Sequence, residues 1–157
     1  MKVSSTIINL GMSVDLGNGF RTIDEYVRLK NSDSELSPDS SSYYLMLLKE
    51  FEQWTPYLSY AKIQTKNRTL YQAVNSATTL IPIVNDSQRL MADGMVVYDQ
   101  QTWAVGTAYT LDHSSKIKAE WSVVKTGVGS SFVDAQPGGQ SSNKRINVLS
   151  VSYNFIF

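Results

Sequence analysis

Cysteine is absent from the 157-residue chain, which excludes disulfide bridges and thiolate-ligated metal sites. Histidine occurs once, at His113, with no partner at the spacing that a catalytic dyad or a metal site requires. No apolar run approaches the ~18–20 residues that a membrane-spanning helix needs. The 14 basic and 14 acidic residues balance, so no net charge attracts nucleic acid. The sequence predicts no enzyme, no cofactor or metal site, and no nucleic-acid partner.

Regular alternation of apolar with small or polar residues is the dominant pattern that is present. It is clearest in four segments: residues 5–17, 101–111, 116–124 and 146–157. Three further segments have the composition of strands but less distinct sides: residues 20–30, 42–51 and 54–64. The alternation therefore predicts an all-β protein of about seven antiparallel strands.

The connections between these strands are alternately short and long. The short ones are residues 17–19, 50–53 and 112–115, with glycine, aspartate or serine at turn positions. The long and polar ones are residues 31–41, 65–100 and 127–145. No linker marks a second domain. An up-and-down meander over residues 1–157 is the predicted topology.

A strand that is apolar on one side fits a soluble sandwich or barrel as well as a membrane barrel. Three observations favour the membrane. The strands match the ~9–11 residues that cross a bilayer at a tilt. Long loops alternate with short turns, as in outer-membrane barrels. Aromatic residues lie toward strand ends, where the membrane interface prefers them: Trp54, Trp103, Tyr109, Tyr153 and Phe157. We therefore expect a transmembrane β-barrel.

The last strand resembles the C-terminal signature of Gram-negative outer-membrane β-barrel proteins. Apolar or aromatic residues occupy alternate positions up to the final one: Val151, Tyr153, Phe155 and Phe157. Two further segments resemble strands and turns of general porins, FEQWTPYLSY at 51–60 and TWAVGTAYTLDHSSKIKAEW at 102–121. The resemblance implies an outer-membrane channel for passive diffusion of ions and small hydrophilic solutes. It also implies contact with outer-membrane lipid, recognition of the last strand by the barrel-assembly machinery, and a homotrimer.

Two groups of residues are expected to carry this function. Charged side chains on the inner wall of a porin set its ion selectivity, and the expected pore-lining residues are Arg28, Lys30, Lys118 and Glu120. Membrane anchoring and the assembly signal are expected to involve Trp103, Tyr109, Trp121, Tyr153, Phe155 and Phe157. In the segment 20–30, Asp24 is expected on the same side as Arg28 and Lys30, although the inverse facing is also open.

The number of strands leaves alternatives open. Bacterial single-chain barrels have even strand numbers with both termini in the periplasm, whereas seven strands put the start of the first one outside. Since the N-terminal residues also do not resemble a signal peptide, we expect the C-terminal part of a larger barrel. Alternatively, residues 89–99 form an eighth strand and complete a small closed barrel, which conducts nothing and has a structural or adhesive role. A third interpretation is a soluble β-barrel that binds an apolar ligand.

Overall fold

The structure is a computed structural model that describes residues 4–31, 39–133 and 141–156. The strands are β1 (Ser5–Gly17), β2 (Phe20–Asn31), β3 (Ser40–Lys49), β4 (Trp54–Thr65), β5 (Tyr98–Thr110), β6 (Ser115–Ser130) and β7 (Arg145–Phe155). Two helices, α1 (Thr69–Ser76) and α2 (Pro82–Asp93), lie between β4 and β5. The predicted all-β class and its seven strands are confirmed.

All seven strands form one antiparallel sheet in sequence order, β1-β2-β3-β4-β5-β6-β7. Each strand pairs with the next along nearly its whole length, as the predicted up-and-down meander requires. β1 and β7 are the two edges and do not pair with each other, so the sheet is not closed.

The three short connections lie together at one end of the sheet. The turn between β1 and β2 places Gly17, Asn18 and Gly19 at φ values of 82°, 54° and 79°, in the left-handed region that favours glycine and asparagine. Gly19 also accepts a 2.7 Å hydrogen bond from the N–H of Glu50 in the next short connection. The strand ends that the long connections join lie at the opposite end. The predicted alternation of short and long connections is thus confirmed.

The long connection between β4 and β5 contains the helices instead of an eighth strand. A small core joins it to the sheet: Tyr71 of α1, Ala92 of α2 and Val97 are buried together, and Val128 of β6 packs against them. The hydroxyl of Tyr71 donates to the carbonyl of Val128 at 3.2 Å. The alternative of a strand at residues 89–99 is therefore wrong, because α2 continues to Asp93 and β5 begins only at Tyr98.

No helix within residues 4–31, 39–133 and 141–156 is long and apolar enough to cross a membrane.

The two faces of the sheet differ in composition and in exposure. The aromatic face carries Trp54, Trp103 and Trp121, and the polar face carries Ser59 and Glu120. Trp103 and Trp121 are 52% and 49% exposed, whereas Ser59 is only 8% exposed. The described elements form one sheet with no second sheet against it. The difference in exposure therefore indicates that the sheet curves, with the polar face on the inside.

Candidate functional site

A tyrosine on the polar face reaches across one strand to a glutamate on the next. Tyr57 of β4, Gly106 of β5 and Glu120 of β6 lie opposite one another in register. The Tyr57 hydroxyl donates a 2.6 Å hydrogen bond to Oε2 of Glu120. A Cβ atom on Gly106 would lie 2.2 Å from that hydroxyl oxygen. Glycine at position 106 therefore allows the tyrosine ring to lie over β5.

The same glutamate forms an ion pair with a lysine on its own strand. Nζ of Lys118 lies 3.1 Å from Oε2 of Glu120 and 5.0 Å from the centre of the Tyr57 ring. The side chains of Lys118 and Glu120 are 42% and 24% exposed, so water screens their attraction. The structure thus brings together two of the four predicted pore-lining residues, in a cluster that is neutral as a whole.

Further polar side chains extend this cluster across the neighbouring strands. Tyr44 of β3 is hydrogen-bonded to Ser59 of β4, and both lie on the polar face. Sequence reasoning missed the three bridging residues, Tyr44, Tyr57 and Gly106. Their contribution depends on which residues lie opposite one another, and the alternation within a single strand does not contain that information.

The other two predicted pore-lining residues lie on the opposite side of the sheet. Arg28 is paired with Ile8 of β1 and Ser41 of β3, and Lys30 is paired with Thr6. These positions belong to the aromatic face, as does Asp24. The prediction that Arg28 and Lys30 share a face with Lys118 and Glu120 is therefore wrong. The register of β2 decides the outcome, since a shift of one residue turns every side chain to the other face.

The predicted anchoring residues all lie on the aromatic face, apart from Phe157, which lies outside the described residues. From β4 to β7 they belong to registered rows that cross four strands. The row nearest the short turns contains Trp54, Tyr109, Ile117 and Tyr153. The second contains Pro56, Thr107, Ala119 and Val151. The third contains Leu58, Val105, Trp121 and Leu149, and the fourth contains Tyr60, Trp103, Val123 and Asn147. Phe155 pairs with Ser115 beyond the first row.

Aromatic contacts occupy both ends of this set of rows. At the short-turn end, the ring centres of Trp54 and Tyr109 are 4.6 Å apart. At the other end, the ring centres of Tyr60 and Trp103 are also 4.6 Å apart, and Tyr43 lies 5.6 Å from Tyr60. Mostly aliphatic side chains lie between the two aromatic groups. The exposed side of the sheet is thus an apolar band with an aromatic border on each side.

A fifth row, which sequence reasoning did not identify, lies beyond the aromatic border of Tyr60 and Trp103, toward the long connections. It contains Lys62, Gln101, Lys125 and Arg145, each opposite the next on the aromatic face. Basic residues near the ends of strands are visible in the sequence. Their alignment into one row depends on the register of four strands, and no pattern within one strand reports it.

A pocket of about 280 Å³ lies on the polar face, toward the long connections. Side chains of β2 to β5 form its floor, including Val27, Tyr44, Ile63 and Gln100. Phe132, from the connection after β6, lines it from the side and stacks on Tyr98 at 4.6 Å. The lining is mainly apolar and aromatic.

His113 lies exposed in the turn between β5 and β6, as predicted for a solvated turn residue. The neighbouring Asp112 organises this turn. Its carboxylate accepts hydrogen bonds from the hydroxyl of Ser115 at 2.7 Å and from the N–H and hydroxyl of Ser114 at 2.7 and 2.8 Å. These bonds hold the pKa of Asp112 below the usual value for aspartate. Within the described part of the chain, no three histidine, aspartate or glutamate residues are grouped as metal ligands would be.

No family model matches this chain, and comparisons with curated proteins and with solved structures found no match either.

Proposed function

We propose that this sheet forms part of the wall of an outer-membrane β-barrel channel, through which ions and small hydrophilic solutes diffuse passively. One observation carries the proposal: the outside of the curved sheet is an exposed apolar band with aromatic borders, while the inside carries mainly small and polar side chains along β4 to β6, where most positions are buried or half-buried. A soluble β-protein has the reverse arrangement, because its apolar side faces a dry interior.

The dimensions of the apolar band support a position in lipid. Along β4, Tyr60 lies six positions after Trp54, which is about 20 Å along the strand at ~3.3 Å per residue. The strands of the sheet are 10 to 16 residues long, enough for the ~9–11 residues that cross a bilayer at a tilt. Tryptophan and tyrosine at both borders correspond to the aromatic girdles of such barrels. We propose that Trp103, Tyr109, Trp121, Tyr153 and Phe155 face lipid.

The polar cluster supports the proposal that the polar face forms the inner wall of the channel. Selectivity in a wide pore comes from fixed charges in a space where low-dielectric walls focus their field. Lys118 and Glu120 are the charges in this cluster, and they pair with each other. We propose that this section of the wall is weakly selective, and that solutes contact hydroxyl groups such as those of Tyr57 and Ser59.

The resemblance of the last strand and of two hairpins to porins supports further proposals. We propose recognition of the terminal strand by the barrel-assembly machinery and assembly into a homo-oligomer. Three charged residues of β2 depart from the lipid-facing pattern: Arg28 and Lys30, toward the long connections, and Asp24, which lies on the aromatic face between Met12 and Leu45. The carboxylate of Asp24 is expected to destabilise the inserted state, unless another copy of the chain covers it.

The orientation of the two faces is tested best by single cysteines, because the chain has none of its own. Leu149→Cys and Ser150→Cys are adjacent in sequence but lie on opposite faces, and Val151→Cys and Ser152→Cys form a second matched pair; all four positions are exposed. In lipid vesicles, we expect a water-soluble thiol reagent to modify positions 150 and 152. A fluorophore attached at positions 149 and 151 should be quenched by brominated acyl chains. Water-accessible 149 and 151 with lipid-exposed 150 and 152 would contradict the proposal.

Conduction is tested by recording the purified chain in a planar lipid bilayer. Stable current steps of porin size are expected when the barrel is complete. Folded, inserted protein that passes no current would instead favour a structural or adhesive role. Folding without detergent or lipid would favour the soluble β-barrel that binds an apolar ligand.

A further inference from the structure

Three basic residues are aligned on the aromatic face, next to the border formed by Tyr60 and Trp103. Lys62 of β4 lies opposite Gln101 of β5, Gln101 lies opposite Lys125 of β6, and Lys125 lies opposite Arg145 of β7. Adjacent strands are about 4.8 Å apart, so the row is about 14 Å long. Lys125 and Arg145 are exposed, and Lys62 is half-buried. We refer to Lys62, Gln101, Lys125 and Arg145 as the basic row.

The charges of the basic row are not neutralised within the described residues. No carboxylate of residues 4–31, 39–133 or 141–156 lies within 4.0 Å of the charged nitrogens of Lys62, Lys125 or Arg145. The nearest acidic residue along β5, Asp99, is bound to Arg68 at 2.7 Å. Like charges directly opposite each other destabilise a sheet, as at Lys125 and Arg145. An anion between these two side chains would remove this repulsion.

The basic row is continuous with apolar surface on one side. The next row toward the short turns contains Tyr60, Trp103 and Val123, and the row after that begins with Leu58 and Val105. An anion bound at the basic row would therefore have exposed aromatic and aliphatic side chains directly below it. This combination fits a molecule with an anionic head and long apolar chains.

We propose that the basic row is a binding site for a bilayer lipid whose headgroup carries a phosphomonoester. The phosphate lies between Lys125 and Arg145, with Lys62 as a third cation, and the acyl chains lie along the apolar band past Trp103. Two cations on adjacent strands match the two charges of a phosphomonoester. Free phosphate would meet the same cations but leave the apolar rows uncovered. This inference rests on the proposed function, because it requires the aromatic face to contact lipid.

Quenching of tryptophan fluorescence by brominated lipids measures which lipid lies beside the basic row. The variant Trp54→Phe/Trp121→Phe keeps only Trp103, one row below Gln101. Trp103→Phe/Trp121→Phe keeps only Trp54, at the opposite border of the same face. Both full-length chains are placed in phosphatidylcholine vesicles that contain a minor fraction of brominated phosphatidic acid or of brominated phosphatidylcholine. We expect the association constant from Trp103 quenching to be about 100-fold higher for phosphatidic acid, as three cations near a surface imply. Trp54 should show a much smaller preference.

Substitution in the basic row identifies the cause of that preference. In the variant that keeps only Trp103, Lys125→Gln/Arg145→Gln should reduce this preference to about fivefold, the contribution of the one remaining cation. The matched control Arg21→Gln/Lys116→Gln removes the same charges from the polar face at the short-turn end and should leave the preference unchanged. Lys125→Arg and Arg145→Lys keep the charge and should also keep the preference, which separates loss of binding from loss of folding.

The remaining outcomes separate this inference from the proposed function. Equal quenching of Trp103 by both lipids would overturn the inference but leave the lipid-facing band in place. No quenching by either lipid would overturn both. Loss of the preference when inorganic phosphate is added at millimolar concentration would overturn the lipid assignment, because the site would then be one for small anions.

Discussion

The absence of a side chain at Gly106 allows the side chain of Tyr57 to reach Glu120. We expect Gly106→Ala to lower the free energy of unfolding by about 1–3 kcal/mol, as overpacking does. The added Cβ would lie 2.2 Å from the Tyr57 hydroxyl and 2.8 Å from the carbonyl oxygen of Ala119. Gly11→Ala is the matched control on the same face, where the nearest atom is 3.9 Å away, and it should change stability by less than about 0.5 kcal/mol. Urea unfolding in detergent micelles measures both. Equal effects would contradict the packing argument.

Glu120 and Lys118 allow a test of wall charge in both directions. Glu120→Gln leaves the Lys118 ammonium without its partner, so the proposed channel should become more selective for anions. Lys118→Gln leaves the carboxylate alone and should shift selectivity toward cations. The double variant should return to the selectivity of the unmodified chain. Reversal potentials across a salt gradient measure all three. Unchanged potentials in both single variants would place this pair away from the conduction path.

At the scale of elements, the turn between β1 and β2 contains two glycines with different requirements. Gly17 and Gly19 both have positive φ, but only Gly19 is crowded, since a Cβ there would lie 2.3 Å from the carbonyl oxygen of Glu50. Gly17→Ala should lower the free energy of unfolding by about 1–2 kcal/mol through backbone strain alone. Gly19→Ala should cost at least about 1 kcal/mol more, because it also disrupts the hydrogen bond from Glu50. The midpoint of urea unfolding distinguishes the two, and identical midpoints would refute the crowding at Gly19.

The turn between β5 and β6 predicts a dependence of stability on pH. The pKa of Asp112 is lower in the folded chain, first because of the Ser115 hydroxyl and then because of Ser114. Its contribution to stability is therefore complete above the pKa of the unfolded chain and is lost as the pH falls through the folded pKa. Asp112→Asn should have a weaker loss of stability below about pH 4 than the unmodified chain. Unfolding midpoints from pH 6 to pH 2 test this, and two parallel pH profiles would contradict it.

The strands were predictable from local alternation, whereas their ends and the helices were not. Residues 20–30 were predicted as a strand and β2 spans Phe20–Asn31, but β6 continues six residues past the predicted end at 124. That extension contains Gly127 and Gly129, which are typical of loops. The helices depend on Tyr71 and Val97 meeting Val128 of β6, a contact between residues distant in sequence that no local pattern contains.

The candidate site was predictable only in part, for the same reason. The alternation predicted that Lys118 and Glu120 share one face. The register of β4, β5 and β6 shows that Tyr57 lies beside them. In β2, the apolar positions such as Val27 lie on the polar face, because the pairing of Tyr26 with Leu10 and Tyr43 fixes the strand in the inverse facing. When a short strand has apolar and polar residues on both sides, the face on which each residue lies depends on the neighbouring strands and on the adjoining turn.

At the scale of the whole molecule, Asp24 tests whether the aromatic face contacts lipid. Asp24→Leu should raise the free energy of unfolding in lipid vesicles by about 1 kcal/mol, because it removes a carboxylate from the side proposed to face lipid. Glu25→Leu is the matched control: it is the next residue on β2 and lies on the polar face opposite Gly11 and Tyr44. It should give no stabilisation. A destabilising effect of Asp24→Leu would mean that the carboxylate has a protein partner in the assembled state.

The two unpaired edges have a thermodynamic consequence for the proposed membrane state. β1 and β7 are 13 and 11 residues long and pair on one side only. In hydrocarbon, each unsatisfied N–H or C=O group costs several kcal/mol, so two bare edges would cost more than the ~5–15 kcal/mol that stabilises a typical domain. Insertion and pairing of the edges must therefore occur as one event. Its kinetic order in protein concentration identifies the partner: first order means that edges of one chain meet, and a higher order means that separate copies join.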